Sequence, residues 1–198
     1  MLNVYESLSF LRSNRLPVVR GYLVKTAKEL KAACKGLKYP LAMKINSPGH
    51  KSDSGGVVLN INSLNEALKA FKRIRIPEGV LVQEQVKGIE LIVGIKKDPV
   101  FDQVLLAGMG GVFTEVLKDV SFRVCPFSKK DAREMLQELK SFKVLKGYRG
   151  KSVNLKGLIN LLVSISKIAV KKDIKEMDIN PLIASGNQFF IVDARLSL

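Results

Sequence analysis

The C-terminal segment 176–195 carries polar side chains at the spacing of a β-hairpin. Gly186-Asn187 is a favourable two-residue turn between two largely apolar runs. With this dipeptide as the loop, alternate residues of both strands share a face. One face would hold Asp178, Asn180, Asp193 and Arg195. The opposite, core-facing side would hold Met177, Ile179, Val192 and Ala194.

The oxygen-bearing side chains of this hairpin suit a magnesium ion. A carboxylate beside an amide oxygen is a pair of hard ligands for Mg²⁺, which commonly bridges protein to phosphates. The same residues also fit an ordinary solvated face with a salt bridge. Pro181 lacks a backbone donor and could shift the pairing of the strands. The hairpin alone leaves these alternatives open.

A polar, glycine-containing loop follows the strand that contains Lys44. Gly55-Gly56 permits close approach of the backbone to a ligand, while Lys44 and Lys51 supply positive charge for phosphate. His50, the only histidine, can accept a phosphoryl group or move protons. The alternative is a polar turn without a ligand. The spacing differs from GxxxxGK[ST], so a P-loop ATPase is disfavoured.

Two further segments have residues that suit nucleotide contacts. The strand end at 82–86 can present backbone groups to an adenine edge, and Glu90 can accept ribose hydroxyls. The glycine-rich run 108–111 permits close approach of phosphate, and charged residues up to Arg123 could border the same cleft. Each segment alone is equally consistent with an ordinary connection.

Helices and strands are interleaved along the chain, which indicates an α/β or α+β fold. Helices are predicted at about 2–15, 26–37, 63–74, 128–140 and 155–170, with capping boxes at Thr26 and Ser63. Strands are predicted at about 40–46, 57–61, 80–84, 90–95, 100–106, 113–117, 122–125, 176–184 and 188–195. In the first of these strands, alternation predicts one face with Leu41, Met43 and Ile45.

The composition narrows the class of protein. With 198 residues, 46% hydrophobic and 26% charged, the chain suits one large domain or two small subdomains. No apolar run is long enough to cross a bilayer, and the N-terminus does not resemble a secretory signal. Cys34 and Cys125 are isolated and have no metal-ligand spacing. We therefore expect an intracellular, cytoplasmic protein without a membrane partner.

The net charge favours an anionic partner. The 33 Lys and Arg residues exceed the 18 Asp and Glu residues and give a charge of +15. Such a charge fits nucleic acid, an anionic small ligand or an acidic protein partner. The basic residues are spread along the chain, and no zinc-finger or RNP-type motif accompanies them. Nucleic-acid binding is therefore not indicated by charge alone.

Five runs, in one order across essentially the whole chain, point to a family. They are YPLAMKINSPGHKSDSGGV, GVLVQEQV, DPVFDQVLLAGMGGVFTEVLKDVSFR, LKGYRG, and EMDINPLI with VDAR. Together they resemble the ATP-grasp β subunit of ADP-forming acetyl-CoA synthetases, which are relatives of the succinyl-CoA synthetase β subunit. The resemblance implies a two-lobed ATP-grasp fold with nucleotide between the lobes. Residues 21–83 would form the small lobe, and 1–20 with 84–198 the large lobe, including the metal-binding hairpin 176–195.

The resemblance also implies roles for individual residues. Nucleotide contacts would come from Lys44, Gly55, Gly56, Glu84, Gln85, Val86, Glu90 and, on weaker grounds, Arg123. Lys44 and the two glycines would meet phosphates, 84–86 the adenine, and Glu90 the ribose. Asn180 and Asp193 would hold Mg²⁺. Catalytic roles fall to His50, as a second phosphoryl relay, and Asp178, which would orient an incoming phosphohistidine.

A partner subunit is part of the same implication. In this family, the α subunit binds CoA and carries the main phosphorylated histidine, so we expect an α2β2 hetero-oligomer. The implied reaction is acyl-CoA + ADP + phosphate ⇌ acid + CoA + ATP, with ADP and ATP as substrates.

Two departures from the family pattern stand out, and other functions remain open. The segment 63–79 is short, and Ile89 replaces an arginine that usually precedes the Glu90 position. Alternatives are a succinyl-CoA synthetase β-like subunit or other ATP-grasp ligase, and a non-catalytic nucleotide-sensing or assembly subunit.

Overall fold

The computed structural model describes residues 1–47, 56–111, 119–147 and 153–198. The chain divides into two units. The smaller unit comprises Asn3–Glu6 and Val19–Val86, and the larger unit comprises Met1–Leu2, Ser7–Val18 and Lys87–Leu198. Helix α1 (Val4–Ser13) opens the chain, as predicted.

The smaller unit is built on a four-stranded antiparallel sheet with two helices. Its strands are β1 (Gly21–Val24), β2 (Leu41–Ile45), β3 (Val57–Ile61) and β4 (Val80–Glu84), in the order β1-β4-β2-β3. Its helices are α2 (Ala27–Gly36) and α3 (Leu64–Ile74). The helices and the sheet bury one apolar cluster that includes Leu30, Leu41 and Phe71.

Side-chain caps set the start of both helices. Thr26 and Glu29 form the predicted capping box of α2, in which the Glu29 amide donates to the Thr26 hydroxyl at 3.2 Å. Ser63 caps α3 through the Glu66 amide at 3.2 Å. The Glu66 carboxylate instead accepts from the amide of Asn62 at 2.8 Å. The predicted reciprocal box at Ser63 is therefore only half formed.

The two-sided burial of β2 differs from the predicted alternation. Residues 41–44 are all buried, so both faces of β2 are covered, and the strand lies inside the sheet between β4 and β3. Lys44 is only 6% exposed and Asn46 3%. The Asn46 side chain accepts from the Tyr5 amide at 3.1 Å and donates to the Glu78 carbonyl at 3.3 Å. Both faces of β2 are thus covered by other residues of the chain. The alternation of residue types within one strand does not reveal this.

The larger unit contains a six-stranded antiparallel sheet. Its strands are β5 (Ile89–Asp98), β6 (Asp102–Met109), β7 (Val120–Val124), β8 (Glu176–Ser185), β9 (Gln188–Ile191) and β10 (Ala194–Ser197). They follow the order β10-β8-β5-β6-β7, and β9 also pairs with β8. The helices are α4 (Lys129–Gln137), α5 (Phe142–Gly147) and α6 (Leu155–Lys171). Antiparallel pairing of all the described strands of both sheets supports the α+β alternative.

Several predicted boundaries in this unit were wrong. The strand predicted from Val100 begins at Asp102, because the Asp98 carboxylate accepts from the Val100 and Phe101 amides and closes a turn. The helix capped by Ser128 ends at Gln137, and α5 was not predicted. The strand predicted at 113–117 lies outside the described residues. Among the described helices, none is long and apolar enough to span a membrane.

Candidate functional site

The C-terminal hairpin has the predicted register. Ser185 pairs with Gln188 across the turn, where Gly186 adopts a φ of 56°. Further along, Asp178 pairs with Arg195 and Ile179 with Ala194. The prediction from the turn position is therefore confirmed over both ends of the hairpin.

The hydrogen-bond ladder of the hairpin is interrupted at Pro181, which lies within β8. The single strand predicted at 188–195 is divided into β9 and β10, with Val192 and Asp193 between them. The remaining backbone contacts are long, since Asn180 donates to the Asp193 carbonyl and Val192 donates to the Pro181 carbonyl, each at 3.3 Å. Proline has no amide to donate, which explains a break in the ladder without a change of register.

The polar face of this hairpin carries the predicted metal ligands. Asp178 and Asn180 are exposed and Asp193 is half-buried, whereas Met177 and Ile179 are buried. Of the predicted core-facing residues, Val192 is only half-buried. In the described ranges, no group of three or more His, Cys, Asp or Glu side chains could hold a metal ion.

The donor set of the hairpin is therefore small but chemically suitable for Mg²⁺. Asn180 and Asp193 offer one amide oxygen and one carboxylate. Both are hard oxygen ligands, and Mg²⁺ is usually bound by one or two carboxylates together with substrate phosphates and water. The residues present fit an ion that is shared with a phosphorylated ligand.

Glu90 and the glycine-rich run come together on the larger sheet. The Gly110 amide donates to the Glu90 carbonyl at 2.7 Å. A Cβ atom built on Gly110 would lie 3.0 Å from the Glu90 carbonyl carbon. Glycine at this position therefore permits the close approach of two segments that the sequence singled out separately. Glu90 itself is exposed.

In the smaller unit, Lys44 lies beside the end of the glycine-containing loop. Lys44 pairs with Val57 across the sheet, and the Ile45 amide donates to the Gly56 carbonyl at 3.0 Å. His50 and Gly55, together with Lys51, lie outside the described residues. Lys44 is thus placed next to Gly56, at the described end of that loop, and its phosphate contact stays a prediction.

The predicted adenine segment is held by side-chain hydrogen bonds within the smaller unit. The Glu84 carboxylate accepts from the Lys38 amide at 3.1 Å. Gln85 accepts from the Asn60 amide at 2.6 Å and donates to the Asn60 side chain at 3.0 Å. The Glu84 and Gln85 amides donate to the Arg20 and Pro40 carbonyls. Val86, also predicted here, is half-buried.

The Arg123 guanidinium forms an ion pair with Glu138, the residue that directly follows α4. Its two terminal nitrogens donate to the two Glu138 oxygens at 3.0 and 2.6 Å, and Ser121 donates to the same carboxylate. These hydrogen bonds, first from Arg123 and then from Ser121, lower the pKa of Glu138 to about 2. The structure thus gives Arg123 a structural partner in addition to its predicted phosphate contact.

Asp119 has a structural role that the sequence did not indicate. It is 3% exposed and accepts from the Lys140 and Ser141 amides, each at 2.8 Å, and from the Ser141 hydroxyl. Burial opposes its ionisation, but these hydrogen bonds outweigh burial and hold its pKa below the usual value. The partners lie more than twenty residues away in sequence, so no local sequence motif marks these hydrogen bonds.

A shallow cleft elsewhere on the larger unit is unrelated to these residues. It has a volume of about 450 Å³ and lies between α6 and β9, with Gly157, Leu161 and Phe189 among its lining residues. None of the described residues predicted to act in the site lines it.

The whole chain, residues 1–198, matches a sequence family described as ATP-grasp domain. The β subunit of acetate–CoA ligase (ADP-forming) II from Pyrococcus furiosus is 38% identical over 98% of this chain and 90% of the relative. Acetate–CoA ligase (ADP-forming) II from Archaeoglobus fulgidus is 38% identical over 99% of this chain. The chain spans only 30% of the length of that second relative.

Solved structures agree with this relationship. Dinucleotide forming acetyl-coenzyme A synthetase 1 from Ca. Korarchaeum cryptofilum, in complex with coenzyme A, Ca-AMPCP and HgCl⁺, has a TM-score of 0.94 at 39% identity, covering 100% of this chain and 93% of that chain. Its complex with coenzyme A and Mg-AMPPCP, with a phosphohistidine segment pointing towards the nucleotide binding site, has a TM-score of 0.85 at 37% identity, over 98% and 91%. The predicted ATP-grasp fold is confirmed. The chain belongs to the ATP-grasp family and, within it, to the group that contains the β subunits of ADP-forming acetate–CoA ligases.

Proposed function

We propose that this chain is the nucleotide-binding subunit of an ADP-forming acyl-CoA synthetase, with acetyl-CoA as the first acyl donor to test. With a partner subunit it would catalyse acyl-CoA + ADP + phosphate ⇌ acid + CoA + ATP. The observation that carries the proposal is similarity over nearly the full length of a separate β subunit, at 38% identity. We also propose that residues 21–83 form the small lobe and that residues 1–20 with 84–198 form the large lobe.

Nucleotide binding is assigned to residues of both units. In the smaller unit, Lys44 and the glycine pair 55–56 would bind phosphates, and 84–86 would bind adenine. The amides of Glu84 and Gln85 are already used within the unit, so adenine would be read by the remaining backbone groups of this segment, Val86 included. In the larger unit, Glu90 would accept the ribose hydroxyls. Arg123 would contact phosphate with its guanidinium already held by the Glu138 carboxylate.

Asn180 and Asp193 would hold the magnesium ion of the bound nucleotide. When bound, Mg²⁺ neutralises negative charge on the phosphates and aligns them for in-line transfer. Phosphoryl transfer needs mainly positioning and charge neutralisation, and a set of lysine, amide and carboxylate groups supplies both without a strong base.

The partner would deliver a phosphoryl group on a histidine. Asp178, exposed on the same polar face as Asn180, would accept a hydrogen bond from the imidazole and so orient it. His50 would act as a second relay. In this scheme the phosphoryl group leaves the histidine nitrogen and joins a terminal phosphate oxygen of ADP, so ATP forms and the neutral imidazole is restored.

The test is acyl-CoA-dependent ATP formation from ADP and phosphate by this chain with and without its partner subunit. We expect activity only in the mixture, and calorimetric binding of Mg·ADP by the chain alone. Lys44→Met should weaken Mg·ADP binding by roughly 10- to 100-fold, because a hydrogen bond to a charged group contributes about 1.5–3 kcal/mol. Asp193→Asn should reduce both Mg·ADP affinity and activity.

Asp102→Asn is the matched control for Asp193→Asn. It makes the same carboxylate-to-amide change on the same sheet, at an exposed hairpin end where the Asp102 carboxylate makes a long 3.8 Å ion pair with Lys97. We expect it to bind Mg·ADP as the unmodified chain does. Absence of Mg·ADP binding, together with an inactive mixture across several acyl-CoAs, would refute the proposed function.

A further inference from the structure

One row of paired residues crosses the larger sheet and passes through Asp178. Gly94 on β5 pairs with Leu106 on β6 and with Asp178 on β8. Leu106 pairs in turn with Phe122 on the edge strand β7. Directly paired residues of antiparallel strands share a face, so apolar side chains and the Asp178 carboxylate lie on one surface with Gly94 between them.

Gly94 leaves a gap in this row that the packing of the described residues does not require. A Cβ atom at Gly94 would meet its nearest neighbours at 3.7 Å (the Met177 carbonyl oxygen) and 3.8 Å (the Leu106 Cβ), which are ordinary van der Waals contacts. By contrast, a Cβ at Gly88 would lie 2.1 Å from the Ala184 carbonyl oxygen. Glycine weakens a strand interior, and its presence there often marks close approach of a ligand or another chain. Packing among the described residues therefore gives no reason for a glycine at position 94.

The apolar side of the gap is accessible. Phe122 is 53% exposed, and its neighbour Val124, one pair further along β7, is 47% exposed. Val124 pairs with Val104, so the apolar surface extends over two rows of strands β6 and β7. An exposed apolar patch beside a carboxylate is typical of an interaction surface with a polar rim.

The gap is displaced from the proposed ribose contact along the strand. Gly94 is four residues beyond Glu90, which corresponds to about 13 Å at about 3.3 Å per residue. The two residues are on the same face of β5, since they are an even number of positions apart. The gap therefore lies away from the proposed ribose contact and next to Asp178.

We propose that the gap at Gly94 receives the histidine-bearing segment of the partner subunit. The flat imidazole would occupy the space above Gly94, with Asp178 on one side as hydrogen-bond acceptor. On the other side, Leu106 and Phe122 would pack against apolar residues that flank the histidine. This inference rests on the proposed function, because it names the surface on which the partner docks. Gly94 is in this sense a positioning residue.

The experiment compares Gly94→Val, Gly94→Ala and the unmodified full-length chain. It measures the single-turnover transfer of a labelled phosphoryl group from the phosphorylated partner subunit to ADP, together with Mg·ADP affinity and thermal unfolding. We expect Gly94→Val to slow transfer at least about tenfold and Gly94→Ala to slow it less, because valine fills more of the gap than alanine does. Mg·ADP affinity should stay within about twofold, and the unfolding temperature should not fall.

Ser197→Val is the matched control. Ser197 pairs with Glu176 on the same sheet and lies two positions beyond Arg195, which belongs to the Gly94 row, so the substitution adds bulk in the neighbouring row. It should transfer at the unmodified rate. Transfer by Gly94→Val at the unmodified rate would overturn the inference and leave the proposed function standing. A parallel loss of Mg·ADP affinity would assign the gap to the nucleotide and also overturn it. Absence of transfer with the unmodified chain would refute the proposed function itself.

Discussion

Removal of the Asp119 carboxylate should destabilise the larger unit. This buried group accepts two backbone amides just before α5, at Lys140 and Ser141, and also the Ser141 hydroxyl. Asp119→Ala leaves all three donors without their acceptor. A hydrogen bond to a charged group contributes about 1.5–3 kcal/mol.

The expected loss is smaller than the sum of these contributions. Lys140 is exposed and Ser141 half-buried, so water can replace part of what the donors lose. We therefore expect the free energy of unfolding to fall by about 2–4 kcal/mol. For a chain of this size, that loss lowers the unfolding temperature by roughly 4–16 °C. Circular dichroism during thermal and urea unfolding would measure both quantities.

The pH dependence gives the more specific test of Asp119. Its pKa in the folded protein lies below the ordinary aspartate value of 3.8, so its stabilisation is fully present well above that pH and is lost as the pH falls below it. The difference between the unmodified chain and Asp119→Ala should therefore be largest near pH 7 and shrink near pH 3. Asp119→Asn, which keeps one oxygen acceptor, should be intermediate. An unchanged unfolding temperature, or a difference that persists undiminished at low pH, would refute the reasoning.

Two further substitutions test other contacts of the larger unit. Glu138→Gln should lower the free energy of unfolding by about 1 kcal/mol at pH 7, since its ion pair with Arg123 is partly exposed. Because the pKa of Glu138 is lowered to about 2, this difference should vanish as pH falls from 4.5 towards 2, and a pH-independent difference in urea unfolding would contradict the assignment. Gly88→Ala should cost about 1–3 kcal/mol, because its methyl group would lie 2.1 Å from the Ala184 carbonyl oxygen. In the same assay Gly94→Ala should cost nothing, and equal losses at both glycines would contradict the packing argument.

Local signals predicted much of this fold. The Thr26 capping box and the Ser63 cap fixed two helix starts, because a cap depends on residues three positions apart. The turn at Gly186-Asn187 set the register of a long hairpin, because each pair follows from the one before it. The polar face with Asp178 and Asn180 followed from that register.

Features that depend on distant segments were not predictable from one sequence. The two-sided burial of β2 depends on the segments that pack against its two faces, which are distant in sequence. The hydrogen bonds of Asp119 to the segment before α5 and the pairing of Arg123 with Glu138 join residues that are 15 or more positions apart. Both residues lie in a run whose charges the sequence suggested for a ligand cleft. Long-range structural partners and ligand contacts require the same residue types, so sequence alone does not separate them.

The pairing of β8 with β9 and β10 also limits how this hairpin can change in length. The register holds on both sides of Pro181, from the turn to Ser197. One residue inserted into either strand would turn the side chains that follow it in that strand to the opposite face of the sheet, and an insertion directly before Asp178 would do this to Asp178 itself. We therefore expect insertions and deletions in related chains to accumulate in segments such as 63–79 and to be excluded from 176–195. Randomised single-residue insertions across the gene, followed by selection for folded protein, would show this as a gap in the tolerated positions.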